Sequence, residues 1–232
     1  MMEVQTVLEN PANFQNFKAD QELLKDSNVD IGSSPIAAPA LHNNLVGNLS
    51  QLTDNLILSS ASSINPGVLQ ALNIVCIVNV APELPDTPCH DDGVVYHKIS
   101  VLDTGSSRLL PYFSEAADLI HEVSCSGGRT LVYCVAGVSR SASICIAYFM
   151  KHHQLSLLEA YNYVKLKRPR IKPNCGFFKQ LIEYEKQLYG CNTVHMVFNE
   201  FVQMEIPDVY DSEYKLISHF TKKRRMSRDA GH

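Results

Sequence analysis

Leu131-Val132-Tyr133-Cys134-Val135-Ala136-Gly137-Val138-Ser139-Arg140-Ser141 limits what this chain can fold into more than any other stretch. Its first four residues read as a buried strand, the next five as a loop of small residues, and residues 141–150 as an apolar helix. A strand feeding a helix through so short a loop is a unit of α/β architecture. The loop brings unpaired backbone N–H groups and the positive end of the helix dipole to one point, which makes it an anion site. Val135, Ala136, Gly137, Val138 and Ser139 are therefore candidate phosphate-binding positions. Cys134 sits at the rim, where the same field favours thiolate over thiol and makes it a candidate nucleophile. Arg140 closes the loop, and its planar two-pronged guanidinium suits two oxygens of a transferring phosphoryl group. Of the seven cysteines, only Cys134 has an arginine six positions on.

The remaining periodicities agree with that unit. A strand is expected to begin over residues 55–58, and Asn65-Pro66-Gly67 opens a helix through Leu72. Residues 74–80 form a β-branched run, apolar on both faces, as a parallel strand covered by helices would be. Residues 94–101 give another strand and residues 111–123 an amphipathic helix, before the central strand at 130–133. After Met150, Ser156-Leu157-Leu158-Glu159 has the form of a capping box opening a helix to about Leu166. Asn174 caps a last helix over 177–188. The fold expected is an α/β sandwich with a central, mostly parallel sheet flanked by helices, its ligand site at the carboxyl ends of the strands.

A thiolate that attacks phosphorus must expel an alkoxide or phenoxide, so a proton donor is needed on the leaving-group side. Asp103 is the candidate, at the end of the strand and the start of the Thr104-Gly105-Ser106-Ser107 loop. Asp91 and Asp92 compete but precede that strand. In this scheme Arg140 and the loop amides stabilise the transition state, and the Ser141 hydroxyl donates to the departing thiolate. No metal or cofactor is required.

Cys134 to Ser141 resembles the signature loop of the cysteine-dependent protein tyrosine phosphatase superfamily, and 136–141 is closest to the small dual-specificity phosphatases. The likeness runs from about Asn48 to Gly190. It implies a protein tyrosine phosphatase-like fold, a phosphocysteine intermediate, and an acid at the position of Asp103, some thirty residues before the nucleophile. It also implies that Asn174, in Arg168-Pro169-Arg170-Ile171-Lys172-Pro173-Asn174, steadies the phosphate loop. The family usually has a loop-supporting histidine where this chain has Tyr133, which cannot become cationic at neutral pH. That departure sets a phosphoprotein-binding pseudophosphatase beside the live enzyme as the alternative. A sulfurtransferase would leave Arg140, Ser141 and Asp103 unexplained. The loop lacks the lysines that relatives acting on inositol lipids carry, so phosphotyrosine, phosphoserine and phosphothreonine of proteins are the expected substrates. Mitogen-activated kinases are the family-level expectation among partners.

Composition excludes other classes. A net charge of −4 gives no case for nucleic acid. An odd cysteine count without paired Cys-x-x-Cys clusters argues for a reducing compartment, against a disulfide framework and against a zinc module. No apolar run reaches the roughly 18 residues of a membrane span. The chain divides into an N-terminal extension (1–45), a catalytic domain (46–190) and a C-terminal extension (191–232), with a short strand over 193–197. A cytoplasmic protein is expected. The basic run Lys222-Lys223-Arg224-Arg225 reads as a solvated tail or, more sharply, as a nuclear import signal or a contact for an acidic lipid surface. Cys76 and Cys145 are expected to pack as small hydrophobes, and Cys89 is a candidate oxidation partner for Cys134. His152-His153 would suit a helix carboxyl end if cationic.

Overall fold

The computed structural model describes residues 49–86, 93–215 and 217. The expectations for the N-terminal extension, Cys89, Asp91, Asp92 and the basic run from Lys222 lie outside the described residues. Five strands, β1 (Leu49–Gln51), β2 (Leu56–Ser60), β3 (Ile74–Asn79), β4 (Val95–Lys98) and β5 (Arg129–Cys134), form one sheet in the order β1-β2-β5-β3-β4. β2, β5, β3 and β4 are parallel; β1, which the sequence did not announce, returns antiparallel along the edge of β2. The helices are α1 (Pro66–Ala71), α2 (Leu110–Cys125), α3 (Arg140–His153), α4 (Leu157–Lys167) and α5 (Cys175–Tyr189).

β5 is the central strand, and the alternation of its side chains assigns each residue to a layer. Val132 and Cys134 join the large core shared with α2, α3, α4 and α5. Leu131 and Tyr133 face the other way, into a smaller core with Ile57, Ile77 and Leu69 of α1. Cys134 therefore ends the strand on the face that carries α3. That helix is enclosed on every side: each residue from Arg140 to Met150 is buried, as expected of a helix with little polar surface beyond its first turn.

Local chemistry explains most boundaries. The Asn65 side chain accepts from the Val68 N–H, and Ser156 with Glu159 closes the capping box. The expected strand over 94–101 is shorter, stopping at Lys98, because its neighbour runs out. Ile99 N–H still reaches Asn79 C=O, but Val101 N–H turns back to Ile99 C=O, and Val80 N–H is already given to Tyr133 C=O. Asp103 consequently lies in the loop after the strand, not at its end.

The short strand expected over 193–197 begins later, as β6 (Met196–Asn199), paired antiparallel with β7 (Met204–Pro207). Val194, Ile206 and Tyr210 belong to the large core, so these residues pack on the catalytic unit. The Tyr210 ring meets Phe178 at 5.3 Å, and its hydroxyl donates to Pro173 C=O at 2.9 Å. The fully buried Glu185 carboxylate accepts from the Leu157 and Thr193 N–H groups and from the Thr193 hydroxyl, tying the start of α4 to the chain beyond α5. Among the described residues no helix is long and apolar enough to cross a membrane.

Candidate active site

The loop between β5 and α3 has its carbonyls engaged from outside. Val135 C=O accepts from Ala61 N–H and Val138 C=O from Lys172 N–H. Gly137 C=O accepts from Arg168 Nε at 2.7 Å, and Ala136 C=O from Arg170 Nη2 at 2.8 Å and Arg168 Nη2 at 3.4 Å. In a trans peptide the N–H points opposite to the C=O. Four carbonyls turned outward therefore turn the next N–H groups, those of Ala136, Gly137, Val138 and Ser139, inward. The Gly137 N–H indeed donates to Cys134 Sγ at 3.3 Å.

Gly137 has φ +64°, and a Cβ there would lie 2.3 Å from Ser59 C=O and 2.6 Å from Arg168 Nη2. Only glycine fits both the backbone and the space. Arg168, 3% exposed, spends its third nitrogen on Ser50 Oγ. Burial, with Arg170 beside it, lowers the Arg168 guanidinium to about 10.

Cys134 Sγ has a second donor, Ser141 Oγ at 3.1 Å. Cys76 and Cys145 pack in the large core as small hydrophobes, as the sequence indicated, and burial there pushes Cys76 up to about 11 and raises Cys145 as well. The six described cysteines, 76, 125, 134, 145, 175 and 191, are all free.

Arg140 is the first residue of α3, preceded by Ser139 at the N-cap, whose hydroxyl makes no cap bond. That hydroxyl is used elsewhere: it donates to Asp103 Oδ1 at 2.7 Å and accepts from Asn174 N–H at 3.1 Å. The helix N-terminus is thus left without a side-chain cap at the point where an anion would sit. Arg140 is 3% exposed, and Glu83 grips it by both η nitrogens, at 2.8 and 2.7 Å. Burial works against the charge of Arg140, but Glu83, Cys134 and Asp103 outweigh it and hold the guanidinium above its ordinary value. The same pair holds the Glu83 carboxyl below its usual range. With the η nitrogens engaged, the remaining edge of Arg140 is the Nε side. This nitrogen is buried without a hydrogen-bond partner, 3.6 Å from Asp103 Oδ2.

Asp103 Oδ1 also accepts from Asn174 Nδ2 at 2.8 Å, while Asn174 Oδ1 caps α5 by accepting from Phe177 N–H. Cys134, Arg140, Asp103, Ser139, Ser141 and Asn174 are therefore brought together as the sequence suggested. Tyr133 is not: its ring belongs to the small core on the other face of the sheet. Sequence reasoning missed three residues. Glu83, in Pro82-Glu83-Leu84-Pro85, follows a strand's carboxyl end, which was the one available signal. Arg168 and Arg170 lay in a segment noticed only for its helix-breaking prolines and for Asn174.

The dual specificity phosphatase catalytic-domain family matches residues 56–187. Human dual specificity protein phosphatase 18 is 46% identical over 173 residues, covering 74% of this chain and 90% of that protein. Human dual specificity protein phosphatase 14 is 47% identical over 169 residues, covering 72% and 83%. Among solved structures, human DUSP28 aligns with a TM-score of 0.56 at 33% identity over 67% of this chain and 99% of its own. The human tyrosine phosphatase-like serine/threonine/tyrosine-interacting protein aligns with a TM-score of 0.56 at 29% identity, covering 60% and 96%.

Proposed function

The chain belongs to the dual specificity phosphatase family, and from that premise we propose that it hydrolyses protein phosphotyrosine, phosphoserine and phosphothreonine through a phosphocysteine intermediate. One observation carries the reading: Cys134 Sγ lies at the floor of an inward-facing amide cradle whose arginine, Arg140, keeps a buried, unpartnered Nε beside Asp103. The Cys134 thiolate attacks phosphorus in line, forming the P–S bond as the P–O bond breaks. Asp103 gives its proton to the departing oxygen. The inward amides and the free edge of Arg140 hold the equatorial oxygens while charge spreads over them. Asp103 then takes a proton from the water that attacks phosphocysteine. The P–S bond breaks, phosphate leaves, and the thiolate is received by the Gly137 N–H and the Ser141 hydroxyl, already 3.3 and 3.1 Å away.

The uncharged loop side chains support phosphoproteins over polyanionic lipids as substrates. Mitogen-activated kinases as partners, and a cytoplasmic or nuclear place of action, rest on the family resemblance and composition. A second reading is favoured by Tyr133: a pseudophosphatase that binds phosphoproteins with little turnover. Hydrolysis of an aryl phosphate by the purified chain, with reductant and chelator and with Cys134→Ser as the blank, separates the two. Turnover that the blank lacks is the expected result. A folded protein that binds phosphopeptides without releasing phosphate at any pH would move the assignment to the second reading.

A further inference from the structure

We propose that Gly176 and Gln180 are positioning residues for the general acid, holding the loop of residues 103–109 against α5 so that Asp103 stands over the cradle before any substrate arrives. The inference rests on the role of Asp103 proposed above and goes beyond it. Asp103 lies past the end of β4, and residues 102–106 are exposed, so nothing in the sheet fixes them. What fixes them is the start of α5. The Gly105 carbonyl occupies the space that a side chain on Gly176 would need: a Cβ there would come 1.9 Å from its oxygen and 2.6 Å from its carbon. The obstacle is backbone, so any side chain at 176 must lift the loop.

One turn further on, the Gln180 amide serves the loop with both ends. Its Nε2 donates to Ser107 C=O at 2.8 Å, and its Oε1 accepts from the Leu109 and Leu110 N–H groups at 2.7 and 2.9 Å. Leu109, at the N-cap of α2, has no side chain with which to cap that helix, so the cap comes from Gln180. The loop is thus pinned by Asn174 at Asp103, by close contact at Gly105 and by Gln180 at Ser107 and Leu109. The cradle uses the same anchor: Asn174 N–H donates to Ser139 Oγ and Lys172 N–H to Val138 C=O. Acid and cradle are therefore registered to one stretch, residues 172–180. An acid preplaced in this way is ready to meet the leaving oxygen without a closing movement.

The test compares two esters with the full chain. One is an aryl phosphate with a strongly acidic phenol, such as a difluorinated coumarin, which leaves without help; the other is phenyl phosphate, which needs the proton. Asp103→Asn sets the scale. Gly176→Ala and Gln180→Leu are each expected to lower kcat/KM for phenyl phosphate by about 10- to 100-fold, on the scale of lost general acid catalysis. The kcat/KM for the activated ester, which reports only the steps through formation of the P–S bond and so does not register the later base role of Asp103, is expected to stay within about two-fold, with inhibition by vanadate unchanged, because the cradle is intact. Adding either variant to Asp103→Asn should produce no further loss, the signature of residues acting through one group. Equal loss on both esters, no loss on either, or full additivity with Asp103→Asn overturns the proposal. If Asp103→Asn itself fails to discriminate between the esters, the acid assignment falls and the proposal with it. If Asp103→Asn discriminates and the other two do not, only the proposal falls. Gln180→Leu carries the test alone if Gly176→Ala does not fold.

Discussion

At its amino end α3 begins with Arg140, buried and gripped by Glu83 on one side while its Nε lies without a hydrogen-bond partner near Asp103. At its carboxyl end it finishes in Lys151, His152 and His153, packed on α2 around Asp118. Both ends gather polar side chains, but the use made of the helix dipole differs. At the amino end the hydroxyl of the N-cap residue, Ser139, is committed to Asp103 and Asn174, and the positive end is left without a side-chain cap. At the carboxyl end the cation that meets the negative end is Lys151, paired with Asp118 at 2.8 Å.

The histidines do not play the cationic part the sequence suggested. Burial, then the neighbouring His152 and His121, pushes His153 down to about 4; burial also lowers His152. Their rings pack instead, His152 on His121 at 4.0 Å and His153 against Tyr148 and Phe149. Burial alone would raise the Asp118 carboxyl, but Lys151 and His152 bring it below its ordinary value. One end is left uncapped, and the other is closed by ring packing and by the pairing of Lys151 with Asp118.

That contrast can be broken most severely at Arg168. Arg168→Met removes the donors that turn the loop carbonyls outward, and is expected to cut kcat/KM by about 100-fold and to cost about 3 kcal/mol, read by steady-state kinetics and denaturant unfolding. Glu83→Gln keeps the shape but weakens the grip on Arg140, with a loss of about 10-fold in kcat/KM expected. Since the Glu83 carboxyl is held below its ordinary value, its charge persists as pH falls toward that value and is lost only below it. The acidic limb of the wild-type rate profile should therefore be the same in Glu83→Gln.

Tyr133→His sharpens the comparison from the other face of the sheet. Restoring a titratable ring behind the cradle is expected to raise turnover near pH 6 by about three-fold. A fall would show that the apolar packing of Tyr133 with Ile57 and Ile77 matters more.

At the carboxyl end His153→Phe should leave turnover at neutral pH unchanged and act on stability instead. A histidine kept neutral in the fold to about pH 4, but protonated near 6.5 in the unfolded chain, stabilises fully above 6.5 and loses that contribution as pH falls toward 4. The wild type should lose about 2 kcal/mol over that interval from this group, and His153→Phe should flatten the curve there. An unchanged slope in urea unfolding at pH 4.5 and 7 would assign the acid sensitivity to other groups.

Nearest-neighbour chemistry made much of this protein legible in its residues. The capping box at Ser156, the cap at Asn174, the β-branched run that became β3 and the strand-loop-helix around Cys134 all depend on groups within a few positions of one another. That Cys134 and Arg140 flank one loop was also readable, because strand, loop and helix follow one another without a break, whereas Asp103 was singled out with the help of the resemblance and stands in the loop after β4, 3.6 Å from Arg140 Nε. Tertiary structure alone decided the rest. It paired Glu83 with Arg140, sent Arg168 to carbonyls 31 and 32 residues away, and left Gly176 bare so that the Gly105 carbonyl could enter. It also decided which histidines stay neutral. A charge, a glycine or an amide carries no mark in the sequence of the distant backbone it will meet. Burial and hydrogen-bond partners are properties of the packed chain, and they exist only once the layers have closed.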